Sequence, residues 1–154
     1  MTQPQSIWRP LRLMFYYLIS GISGFGWSLI WIFLSAGDQW QTVHTLFVNI
    51  AVGVVTGILV GSLMYPLYHR KNPAWMMLSA PLTLWFGTTC FIFLSTLFGE
   101  QITYYSVTNL LVFSSVTGFF AVVYPPFYLL NLVAFGNVLL MRFIIEKLSK
   151  PKQD

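Results

Sequence analysis

The chain has 154 residues, of which 56% are hydrophobic and 8% charged, with a net charge of +4 and a mean hydropathy of +0.71. Soluble domains carry about 25% charged residues, so this composition excludes a soluble globular domain and predicts an all-α integral membrane protein. The basic excess lies at the ends of apolar runs, where it serves topology and lipid headgroups rather than nucleic acid.

A helix needs about 20 apolar residues to cross a hydrocarbon core. The first charge-free run, Leu13 to Gly37, meets this and predicts a helix over 11–34. It exceeds the roughly 7–15 residues of a signal-peptide core and no A-x-A site follows Leu34, so it reads as an uncleaved anchor. Ser20, Gly24 and Ser28 repeat every fourth residue and form a small-residue face, while Trp27 and Trp31 project elsewhere and Trp40 falls in the next loop.

The second predicted helix, 43–66, contains the most regular pattern in the chain. Asn49, Gly53, Gly57, Gly61 and Tyr65 stand four residues apart and share one narrow stripe. Without side chains the stripe is a groove, and lipid tails exert no hydrophobic force between helices, so close backbone approach supplies the packing. Its expected partner is the Ser20, Gly24 and Ser28 face, or another subunit.

A third helix is predicted over 75–98, with Pro81 removing a backbone bond and kinking it near Met77. A fourth, over 103–124, is rich in Ser and Thr and stops at Pro125 and Pro126. Phe127 to Ile145 is apolar again and predicts a fifth helix over 127–147, spanning or else interfacial or re-entrant. The expected fold is therefore four transmembrane helices in two hairpins plus this fifth hydrophobic helix, in one membrane domain over 1–154.

Arg9, Arg12, Arg70 and Lys71 fall on one side of the four-helix scheme, and Asp38 and Glu100 on the other, which predicts a cytoplasmic amino terminus. In a prokaryote the membrane is the cytoplasmic one. If the fifth segment spans, Arg142, Lys147, Lys150 and Lys152 lie outside; if it does not, every basic residue gathers on one side. Short matches at offsets of about 60 residues, such as Ile32 to Ser35 with Ile92 to Ser95 and Val55 to Gly57 with Val116 to Gly118, raise a weak tandem repeat of 14–68 and 75–128.

Chemistry is sparse. Apart from Arg12 at the very start of the first, no carboxylate, lysine or arginine lies inside the four predicted spans, so proton carriers are absent there. The lone Cys90 builds neither a disulfide nor a metal cluster, and no metal site or catalytic residue is expected. No cofactor is expected either, although single-histidine haem or pigment ligation by His44 or His69 stays open. The two sit at opposite ends of one helix, about 37 Å apart, and cannot share a haem. Asn49, Thr56, Asn109, Ser114, Ser115 and Thr117 are the candidates for a polar path, while Asn131 and Asn137 add further intramembrane amides.

Four helices in two hairpins with basic residues after the second are loosely similar to small bacterial lipid-linked sugar flippases, although no diagnostic motif is shared. The first expectation is a non-enzymatic accessory subunit packing on membrane-protein partners or on itself in the bilayer. A small oligomeric transporter, channel or flippase is the alternative, and a pigment-, quinone- or lipid-binding subunit the third.

Overall fold

The computed structural model describes residues 5–35, 43–70, 72–98, 106–124 and 128–149. Asp38, Trp40, Lys71, Glu100, Pro125, Pro126, Lys150 and Lys152 lie outside the described residues. Five helices account for nearly all of what is described: α1 Gln5–Ser35, α2 Val43–Tyr68, α3 Pro73–Phe98, α4 Val107–Val123 and α5 Tyr128–Ser149. Local chemistry sets several ends. Asn72 Oδ1 accepts from the Ala74 amide at 2.9 Å while Pro73, which has no amide to satisfy, takes the first position of α3. Ser106 Oγ likewise accepts from the Asn109 amide and starts α4. Pro81 is absorbed within a continuous α3.

The distribution of side chains is the reverse of a soluble protein's. Among the most fully buried are Ser20, Ser28, Ser79 and Ser114, while Phe33, Met14, Leu63, Leu129 and Phe143 stand exposed. Small hydroxyl residues inside and bulky apolar ones outside is the arrangement a lipid solvent favours. Many of the hydroxyls are satisfied by their own helix: Ser28 donates to the Phe25 carbonyl, Ser114 to Leu110 and Thr96 to Ile92.

Packing begins at α1 and α2. A Cβ built on Gly24 would fall on the Gly53 carbonyl oxygen and within 2.7 Å of the Gly57 Cα. One on Gly57 would strike the Ser20 carbonyl, and one on Gly61 would come within 2.5 Å of Ser20 Oγ. The two backbones are therefore in direct contact. Tyr16, 1% exposed, closes the seam by donating its hydroxyl to the Gly61 carbonyl at 2.8 Å. A second close approach joins α3 and α4, where a Cβ on Gly118 would meet Thr89 Oγ1 and lie 2.8 Å from the Trp85 carbonyl. Trp85 Nε1 donates across the same contact to the Ser115 carbonyl at 3.0 Å.

Five helices stand where five were expected, and they differ in length. The four helices long and apolar enough to cross a membrane are α1, α2, α3 and α5, and α4, at 17 residues, is the short one. The uniform apolar stretch from Gln101 to Met141 conceals this difference, because hydropathy does not report where α5 finds its partners. Val138, Met141 and Ile145 of α5 pack with Tyr16 of α1, Tyr68 of α2 and Ala80 of α3. Arg142 Nη2 donates to the Arg70 carbonyl at 2.8 Å. The end of α5 thus lies beside the turn between α2 and α3, and Arg70, Arg142 and Lys147 share that end of the bundle with the first turns of α1.

Two measurements check this arrangement. In a Cys90→Ala background, Arg70→Cys and Lys147→Cys should both react with an impermeant maleimide from the same side of the membrane; labelling from opposite sides would refute the shared end. Gly24→Ala should lower the melting temperature in detergent by an amount equivalent to about 1–3 kcal/mol or more, since the new methyl meets backbone that cannot step aside. Gly26→Ala on the same helix, whose Cβ would meet nothing within 4 Å, should be neutral or slightly stabilising.

Candidate functional site: a cavity inside the bundle

Backbones that touch along one edge leave space elsewhere. Among the described residues α1 and α3 make no close backbone contact, and they face each other across a cavity of about 90 Å³ bounded also by α2 and α5. That is room for a few water molecules or a small ligand. Trp27 and Trp31 of α1 and Phe91 of α3 form its aromatic wall, with the Trp31 and Phe91 rings edge to face at 6.1 Å. Gly87 of α3 opens onto it, and a Cβ there would meet nothing within 4 Å.

The polar lining comes from four helices. Ser23 Oγ donates to Asn137 Oδ1 at 3.0 Å and ties α1 to α5; such a bond contributes roughly 0.6–2 kcal/mol in lipid. Thr83 Oγ1 donates to the Ser79 carbonyl at 2.6 Å. Its single proton is thereby committed, so Tyr68 is the donor in the 2.7 Å contact with Thr83 Oγ1. Ser20, buried beside the Tyr16 hydroxyl, reaches the cavity from the α1–α2 seam. Thr56 shares with Ser20 a hydroxyl oxygen that is buried without a hydrogen-bond partner. It is 6% exposed, it lines the cavity, and its Oγ1 is sealed from solvent without a hydrogen-bond partner. An unmade hydrogen bond of this kind costs about 1–3 kcal/mol.

The sequence-derived candidates separate into groups. Ser20, Gly24 and Ser28 lie against Gly53, Gly57 and Gly61, and most of these six also line the cavity. Asn49 is buried on α2 but does not line the cavity. The expected polar path is not assembled. Among the described residues α2 and α4 make no close contact, so Asn49 and Thr56 are parted from Asn109, Ser114, Ser115 and Thr117. On α4, Asn109 is exposed, the Ser114 and Thr117 hydroxyls bond their own helix, and the Ser115 carbonyl accepts from Trp85. Asn131 joins α5 to α4 by donating to the Val122 carbonyl at 3.1 Å.

His69 is exposed and stacks on Tyr65, with ring centroids 6.0 Å apart, at the far end of α2 from His44, whose side chain lies outside the described atoms. Among the described residues no group of three or more His, Cys, Asp or Glu is placed to hold a metal ion.

Residues that matter to the cavity but were not singled out as site residues include Trp27, Trp31, Thr83, Gly87, Phe91 and Asn137. Asn137 had a legible signal, since it adjoins the Ala134, Val138 and Met141 stripe that α5 buries. Gly87 had none, being a lone glycine outside any spacing pattern.

Comparison with protein-family models, curated proteins and solved structures finds no match. The class defined by the fold is an all-helical chain with four helices long and apolar enough to cross a membrane, enclosing a cavity with an aromatic wall.

Two isosteric changes should have opposite signs. In protein freed of small molecules, Thr56→Val should raise the melting temperature, because it removes an unpartnered hydroxyl, by the equivalent of about 1–3 kcal/mol. Thr83→Val should lower it by a similar amount, because Tyr68 loses its acceptor. Equal effects from the two would contradict the hydrogen-bond assignment.

Proposed function

We propose that this chain is a non-enzymatic, multi-pass membrane protein, amino terminus cytoplasmic, that takes a small neutral molecule into the cavity between α1, α2, α3 and α5. The observation that carries the reading is the pair of unpartnered hydroxyls, Thr56 and Ser20, in a cavity whose lining, among the described residues, holds no carboxylate, imidazole, thiol or amine. Such a lining offers hydrogen bonds and aromatic faces but no acid or base suited to neutral pH, which favours binding or passage over chemistry. It also disfavours charged ligands, whose desolvation nothing in the lining would offset. A molecule with a planar ring and a carbonyl acceptor complements the Trp27, Trp31 and Phe91 wall and the Thr56 donor.

The accessory-subunit reading had the glycine groove of α2 and the amides serving packing either within the chain or against a partner. With α1 seated in that groove, the cavity is the stronger basis for function. Recovery of stoichiometric partner proteins in mild detergent, with no small molecule bound, would restore the accessory reading.

The direct test uses a short-chain benzoquinone, neutral and bearing two carbonyls, which quenches tryptophan. Wild-type protein should show saturable quenching, and Gly87→Leu, which projects a side chain into open space, should fold normally and lose the saturable component. Solvent extraction and mass spectrometry should recover a bound neutral molecule from wild type and little from Gly87→Leu. Non-saturable quenching together with identical extracts from both proteins would overturn the reading.

A further inference from the structure

The cavity is unevenly walled. α2 seals one side, because Gly53 lies against Gly24 and Ser28 of α1 and α2 also packs on α3. α5 seals the other side only as far as the Ser23–Asn137 bond: among the described residues, Asn137 and Met141 are the ones that α5 contributes to the lining. One turn further along the same face of α5, Val133 is exposed, and Asn131 donates to the Val122 carbonyl, which draws the start of the helix toward α4. α4 does not take its place, since among the described residues it makes no close contact with α1. α1 nonetheless carries the cavity on past Ser23 to Trp27 and Trp31, about 6 and 12 Å further along the helix. Between these residues and α3 the closure is a pair of side chains, the Trp31 and Phe91 rings edge to face at 6.1 Å. Trp27, Trp31, Gly87 and Thr88 line the cavity and are only half-buried.

We propose that the cavity opens sideways into the bilayer between α1 and α3, through a window closed by Trp31 and Phe91, and that its ligand is a lipid-dissolved neutral ring carrying an apolar tail. The window presupposes the cavity as a ligand site and adds the side from which the ligand arrives. A single edge-to-face ring pair is a weak closure beside helix packed on helix, and it opens by rotation of two side chains without movement of the backbone. The window runs from Ser23, in the middle of the apolar part of α1, to Trp31, close to its end at Phe33, so it faces acyl chains. A ring that enters there leaves its tail among those chains and has no charge to desolvate on the way.

The test places the full chain in phosphatidylcholine vesicles with two benzoquinones of the same ring, one short-chain and one bearing a decyl tail. Tryptophan quenching of wild type should saturate with both. The half-saturating mole fractions in the bilayer should agree within about threefold, because the tail lies in lipid before and after binding and gains no burial. Saturation with the short-chain quinone alone would overturn the window and leave the cavity as a ligand site; saturation with neither would overturn the cavity reading itself. Stopped-flow quenching of Phe91→Ala, which keeps both cavity tryptophans, then separates a window from a wall. A residue that only holds the bound ring affects release, whereas one that closes an entrance affects arrival as well. Phe91→Ala should therefore speed association by about threefold to tenfold, the factor that corresponds to losing one aromatic pair. Faster release with unchanged association would make Phe91 part of the wall and overturn the window. The comparison of tails uses wild type, so it decides the question even if Phe91→Ala does not fold.

Discussion

Everything else in this bundle is built around the contact of one backbone with another at Gly24, Gly53 and Gly57. A Cβ at Gly24 has no place to go, since the atoms it would meet are main-chain atoms of α2. Helices this close gain many small dispersion contacts, which is the attraction available when the surroundings are as apolar as the side chains. The hydroxyl of Tyr16 then clasps α2 at Gly61 and turns a packing contact into a specific register.

The same choice of small residues explains the cavity. Ser, Thr and Gly bring α1 onto α2, but they cannot fill the interior, and α1 and α3 are left facing each other through aromatic side chains rather than through backbone contact. α5 closes the fourth side with the Ser23–Asn137 bond and the buried Val138 and Met141. Void, aromatic wall and unpartnered Thr56 hydroxyl therefore share one physical origin. A core of larger apolar residues would have no space for a ligand and no polar atom to meet it.

α5 also settles how charge is arranged. By lying beside Tyr16, Tyr68 and Ala80 it carries Arg142 back to the Arg70 turn. Arg70, Arg142 and Lys147, the basic side chains among the described residues, are thereby gathered at one end of the bundle.

The helical class, the positions of α1, α2 and α3, and the residues available for close packing were legible in the sequence. Hydropathy reports whether a residue prefers lipid to water, and four-residue spacing reports which residues share a helix face; both are local properties. Which helices adjoin is not local. The candidate polar path was not assembled for that reason: Thr56 and Ser114 are alike as residues, but α3 separates the helices that carry them, and the residues that share the cavity with Thr56 come instead from α1, α3 and α5. The place of α5 has the same cause, because one uninterrupted apolar stretch holds both α4 and α5 and only contact with Tyr16, Tyr68 and Arg70 distinguishes the one that packs against α1 and α2. The sequence by itself determined what each helix is made of and how closely α1 and α2 are able to approach. Only tertiary structure decided where the unfilled space lies, since a void is defined by the atoms of four helices at once and is written in none of them separately.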